Sequence, residues 1–194
     1  MSVRVARRRS ALRSDTKAAV LDAAVEILVT DPSASLAEVA EAAGIGRTTL
    51  HKYYATRDDL LRAVAHRSID RWEQVMTAAI AESGGAPDGG LRALAAAMIS
   101  VGAHLAFLWR NPLFDRTADV GRRWKSVEPM ALTILERAQA GGHVRAGVPA
   151  YWLLHTYQAL VYVAAESIYD GDLAPNAAAD LVVATFLHGV GPVP

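Results

Sequence analysis

Residues 36–60, LAEVAEAAGIGRTTLHKYYATRDDL, leave this chain little freedom in how it folds. Leu36, Val39, Ala40 and Ala43 recur at helical spacing, which predicts a short helix with one apolar side. Gly44 follows, the residue type that takes a positive φ at least cost just past a helix C-terminus. Ile45 offers an apolar contact for the turn, and Leu50 with Tyr54 gives a second helix its inward side. Ala40 stands where the two helices cross, and its small side chain permits close approach. Two short helices joined by a Gly-containing turn of this length form a helix-turn-helix unit. The second helix, from Arg47, carries Arg47, Thr48, Thr49, His51, Lys52 and Tyr53. Each can donate a hydrogen bond and none is acidic, so this face suits the phosphates and base edges of duplex DNA.

The flanking sequence completes the unit. Ser14 or Asp15 predicts the N-cap of a first helix running to about Val29, with Leu21, Ala24, Val25 and Leu28 as its buried stripe. Asp31-Pro32 ends it, so residues 14–56 are expected to form a three-helix DNA-binding domain. Residues 1–13 hold Arg4, Arg7, Arg8, Arg9 and Arg13 and no acid. They read as a basic arm that lies along phosphates or enters a minor groove, or else as a solvated tail. Thr56 with Asp59 resembles a capping box and starts a long fourth helix to about Ala81. SGGAPDGG, residues 83–90, then reads as a flexible break. Further helices are expected over 91–110, 122–140, 149–169 and 176–188, making 57–194 a second, larger helical domain.

Composition sets the outer limits. Hydrophobic residues make up 52% and charged residues 21%, as in a folded globular chain, and no alternating strand pattern appears. The fold class is all-α. The chain has no cysteine, which excludes a disulfide framework and a Cys-based metal site. No apolar run is long enough for a membrane span, and the basic N-terminus lacks the apolar segment of a signal peptide. A cytoplasmic protein is the simplest expectation. No HExxH, G-x-S-x-G or Walker-type loop is present, so neither an enzyme nor a cofactor is expected. His104, His143, His155 and His188 fall on separate segments, which argues against a metal site.

Residues 14–61 resemble the DNA-binding domain of the TetR family of bacterial repressors. The resemblance rests on the Leu21, Ala23 and Ala24 pattern of the first helix and on AEVAEAAGIGRTTLHKYYATRDDLL. Three positions depart from the family's habit: Gly46 replaces Ser as cap of the reading helix, His51 replaces Tyr, and Arg57 replaces Lys. The resemblance implies a homodimer on a palindromic operator, with two reading helices in successive major grooves ~34 Å apart. It implies phosphate contacts from Thr49, Lys52, Tyr53 and Arg57, and places Arg47, Thr48 and His51 nearer the bases. For Arg47, reading a guanine edge and a plain phosphate contact both remain open.

For the second half, the resemblance implies a small-molecule pocket and a dimer interface. Candidate ligand residues are Trp72, Met76, Met98, His104, Phe107, Leu108, Trp109, Phe114 and Trp124, an apolar and aromatic set suited to a hydrophobic or aromatic effector. Tyr151, His155, Gln158, Tyr162, Glu166 and Tyr169 form one stripe, which suits either a ligand wall or a polar seam between subunits. The family position of the last two helices favours the seam, with Trp152, His155, Tyr162, Glu166, Leu181, Ala184 and His188 at the interface. The expected function is a dimeric, ligand-responsive transcriptional regulator, a repressor released from its operator by effector. The alternative is a ligand-binding helical module without specific DNA binding.

Overall fold

The computed structural model describes residues 2–86, 88–111 and 117–190, with side chains from Thr16 through Gly189. The described residues form helices and turns without a strand. In chain order the helices are α1 (Ser2–Thr30), α2 (Leu36–Ala42), α3 (Arg47–Tyr53), α4 (Arg57–Glu82), α5 (Leu91–Ser100), α6 (Gly102–Arg110), α7 (Ala118–Val127), α8 (Met130–Ala140), α9 (Ala150–Tyr169) and α10 (Pro175–Val190).

By packing, the chain divides into two compact units. The first contains residues up to Ser68 together with Ala106–Gly121. The second contains Ile69–Leu105 and the residues from Arg122 onward. α4 is one continuous helix that belongs to both, with the division at Ser68 and Ile69.

In the first unit, α2 packs on α1 and on α3. Leu21, Ala24, Val25 and Leu28 are buried as their spacing requires, and Val20 joins them. Ala40 is buried, and Gly44 takes a φ of +65° in the turn. The α2 terminus carries a capping box: Glu38 N–H donates to Ser35 Oγ at 3.3 Å, and Ser35 N–H donates to Glu38 Oε2 at 2.7 Å. The start of α4 repeats the device with Thr56 and Asp59. A bidentate pair ties α4 to α1, with Arg67 Nε and Nη2 each donating to the Asp22 carboxylate at 2.7 Å.

The second unit is a helical core in which α10 packs on α5 and α9, and α9 on α5 and α8. Tyr157 of α9 is buried, donates its hydroxyl to the Leu91 carbonyl and meets Phe186 of α10 edge-on at 4.8 Å. Burial pushes its phenol well above the usual range.

Four expectations change. α1 begins at Ser2, not at Ser14 or Asp15, because residues 2–30 contain no Gly or Pro and are rich in Ala and Arg. The 91–110 segment is two helices, bent by 74° about Val101 and Gly102. Gly102 lies close against the Ala165 side chain, where an added Cβ would sit 3.3 Å from Ala165 Cβ. The 122–140 segment is also two helices, starting at Ala118 and interrupted at Glu128-Pro129, since proline carries no N–H to continue the ladder. Residues 83–90 read as a flexible break, yet Gly90 packs so closely that a Cβ would fall 2.3 Å from Ser83 Cβ. Arg137 of α8 donates to Ser83 Oγ at 3.1 Å, which pins the same corner.

Candidate nucleic-acid interface and the faces of the second unit

α3 is positioned by two buried anchors. Leu50 and Tyr54 point into the first unit, while Arg47, Thr48, Thr49, His51, Lys52 and Tyr53 are exposed. The helix starts without a side-chain cap, as Gly46 dictates, and its first turn closes through Thr49 N–H and Leu50 N–H on the Gly46 carbonyl at 2.8 and 3.1 Å. The result is a solvent-facing surface of donors and positive charge with no carboxylate of its own.

Arg57 stands apart from this face. It is half-buried, and its guanidinium donates to the Ala34 carbonyl from Nε at 3.3 Å and to the Pro32 carbonyl from Nη2. In the structure Arg57 therefore staples the start of α4 to the α1–α2 loop. That loop is itself set by Asp31, whose carboxylate accepts from both Ser33 N–H and Ser33 Oγ. Those two hydrogen bonds, the side-chain one first, hold the Asp31 carboxyl below its usual range. Neither the staple nor the Ser35–Glu38 box was drawn from the sequence, although S-x-x-E before an apolar run is a legible capping signature.

The proposed ligand residues divide between the units. Trp72, Met76, Met98, His104 and Trp124 belong to the second, and Phe107, Leu108 and Trp109 to the first. Phe114 lies outside the described residues. Trp72, Met76 and Met98 are fully buried, His104, Phe107 and Leu108 nearly so, and Trp124 partly. Trp109 is at the surface, 36% exposed. Trp72 and Trp124 are in contact, their ring centroids 5.6 Å apart at an interplanar angle of 48°. The Trp72 indole N–H donates to the Val127 carbonyl at 3.3 Å, so α7 already satisfies its polar edge.

α9 and α10 leave an unusual outer face. Trp152 is 65% exposed, Val163 60% and Leu181 52%. His155, Ala159, Ala184 and His188 are exposed as well, and Tyr162 and Glu166 are half-buried. The polar stripe read from the sequence divides: Tyr151, His155 and Tyr169 face solvent, whereas Gln158 is buried with its Nε2 unpaired. Val163 and Ala159 escape the sequence reading, because the stripe of polar tips runs along a different side of the helix. Among the described residues no group of His, Asp and Glu converges in a manner suited to a metal ion. No single described helix is long and apolar enough to cross a membrane.

Residues 20–64 match the family described as "Bacterial regulatory proteins, tetR family". The chain is 29% identical over 185 residues to the HTH-type transcriptional repressor LfrR of Mycolicibacterium smegmatis, covering 95% of each chain. It is 28% identical over 165 residues to the HTH-type transcriptional regulator NfxB of Pseudomonas aeruginosa, covering 84% of this chain and 87% of that one. The crystal structure of LfrR in complex with proflavine superposes with a TM-score of 0.79 at 27% identity, over 94% of this chain and 99% of that chain.

Proposed function

Since this chain belongs to the TetR family of bacterial regulators and is a helix-turn-helix transcriptional regulator, we propose that it works as a homodimeric repressor that leaves a palindromic operator when a hydrophobic or aromatic effector binds. The observation that carries this reading is α3, a helix anchored by Leu50 and Tyr54 whose whole outer face is donors without an acid. Residues 14–56 form the DNA-binding domain in this reading, and 57–194 the effector-binding and dimerisation domain. Arg47, Thr48 and His51 approach base edges; Thr49, Lys52 and Tyr53 take phosphates, and Arg57 adds a phosphate contact with the part of its guanidinium that the staple leaves free. The arm, residues 1–13, adds positive charge along the duplex.

For the effector, the relative LfrR has been crystallised with proflavine, a planar aromatic molecule. The buried set Trp72, Met76, Met98, His104, Phe107 and Leu108, with Trp109, Phe114 and Trp124, is chemically suited to such a ligand. The dimer uses α9 and α10 through Trp152, His155, Tyr162, Glu166, Leu181, Ala184 and His188, because three large apolar side chains on that face otherwise remain in water. Effector acts only if it binds the released state more tightly than the DNA-bound one, and the continuous α4 is the element that transmits the difference.

The test is titration of the protein onto duplex fragments flanking its own gene, at two salt concentrations, with Arg47→Ala alongside. Binding that outcompetes random duplex and falls on the order of a hundredfold in the variant supports the reading, at ~1–3 kcal/mol for each of two half-sites. Sequence-indifferent binding that collapses with salt would leave only the counterion term and favour the ligand-module alternative.

A further inference from the structure

One cation at the edge of the first unit stands outside the face described above. Lys17 of α1 is exposed, and its ammonium lies 5.5 Å from the centroid of the Tyr54 ring. Tyr54 is the residue that ends α3, so this contact places Lys17 at the C-terminal end of the reading helix. Tyr53, exposed beside it, has its ring centroid 6.4 Å from that of Tyr54. The Tyr54 ring is a fixed platform, buried in the first unit. Burial also pushes its phenol up to about 12, and the neutral ring presents its π face to Lys17.

The contact alone does not account for the charge. A cation–π contact at an exposed site is worth ~0.5–1 kcal/mol, whereas ordering a lysine side chain costs about 1.5–2 kcal/mol in rotamer freedom. The ring thus offsets part of the ordering cost without neutralising the ammonium. Among the described residues no carboxylate pairs with Lys17. An ammonium that is biased in position, exposed and uncompensated at the end of a reading helix is pre-organised for an anion. Arg13 and Arg9 stand four and eight positions earlier in the sequence of the same helix.

We propose that Lys17, placed over the Tyr54 ring, takes a backbone phosphate beside the end of α3. The inference rests on the DNA-binding reading above and deepens it. A phosphate contact carries no sequence information, so Lys17 raises affinity and salt dependence and leaves base preference to α3.

The experiment uses the full chain, with Lys17→Gln and Lys17→Arg, on a duplex flanking its own gene and on a random duplex of equal length, across a salt series. Lys17→Gln is expected to reduce the slope of log affinity against log salt by about 0.9 per bound protomer, with the ratio between the two duplexes unchanged. Lys17→Arg is expected to keep the wild-type slope, and thermal melting checks that both variants are folded. Wild-type salt dependence with an unchanged Lys17→Gln slope overturns the inference alone, as does a Lys17→Arg slope that falls equally. Absence of salt-dependent binding by the wild type overturns the DNA-binding reading and this inference with it.

Discussion

α3 and α9 both bury one side and leave the other in water, but what they leave there differs in kind. α3 exposes Arg47, Thr48, Thr49, His51, Lys52 and Tyr53, every one able to donate a hydrogen bond. α9 exposes Trp152, Ala159 and Val163, with Leu181 and Ala184 on the neighbouring α10. Water already satisfies the first face, so what favours a phosphate backbone over water there is its negative charge opposite Arg47 and Lys52 and the counterions released on contact. Water is a poor partner for the second, whose complement is another apolar surface. Exposure alone therefore says little about a helix. The chemistry left exposed separates a face suited to nucleic acid from one suited to another protein surface.

The largest test of that contrast places charge on the apolar face. The double variant Trp152→Asp with Leu181→Asp puts four carboxylates into the proposed two-fold interface, since each substitution occurs twice. Self-association measured by analytical ultracentrifugation is expected to weaken on the order of a hundredfold or more, with the α-helical circular dichroism unchanged. Operator affinity would fall with it, because two half-sites would no longer be bound as a unit. A double variant that remains dimeric would place the interface elsewhere.

A second test, smaller in effect, concerns packing elsewhere in the second unit. Gly85 and Gly90 share a positive φ, +79° and +88°, but differ in surroundings. A Cβ on Gly85 meets nothing within 4 Å, whereas on Gly90 it meets Ser83 Cβ at 2.3 Å and Ile134 Cγ2 at 3.2 Å. Gly85→Ala should cost only the backbone strain, about 1 kcal/mol. Gly90→Ala should cost ~2–4 kcal/mol in chemical denaturation, because Ser83 or α8 must also move. Equal effects would mean that the corner yields freely and is not a packed crossing.

The same corner shows where sequence reading stops. The helix-turn-helix is written in local terms, since Gly44 supplies the turn, Leu50 and Tyr54 the anchors, and the remaining α3 residues the outer face. Each of those inferences needs only neighbours within a few positions. Gly90, Gly102 and Arg57 act on partners far away in the chain: Ile134, Ala165 and the carbonyls of Pro32 and Ala34. Local pattern reads the first two as flexibility or neutral helix filling and the third as a free cation. The break at Pro129 and the Ser35–Glu38 capping box were legible, and each follows from a rule about one or two residues. The division of the chain was not, because residues 106–121 pack with the first unit although 69–105 before them and 122 onward belong to the second.

That non-local segment supplies the smallest effect and the sharpest question about the reading unit. Asp119, in the first turn of α7, accepts from Arg62 Nε on Oδ2 at 2.9 Å and pairs with Arg62 Nη2 through Oδ1 at 2.7 Å, while His66 Nε2 lies 2.9 Å from the same Oδ2. The Arg62 hydrogen bond, then the His66 one, holds its carboxyl well below the ordinary value of 3.8. A carboxylate depressed in the folded state contributes stability that is fully present above its unfolded pKa and is lost as pH falls through the folded value. Asp119→Asn should therefore lower the melting temperature at neutral pH, and the gap to wild type should narrow once the pH drops below about 4. Arg62 is largely exposed, which keeps the effect modest. A variant that melts with wild type at pH 7 would show that the three-helix bundle, α1 to α3 with the start of α4, stands without this segment. A gap present at neutral pH that does not narrow with acid would trace the loss to packing and not to the ion pair. Only a gap that narrows in acid makes the carboxylate grip of Arg62 and His66 part of what holds the reading helix in place.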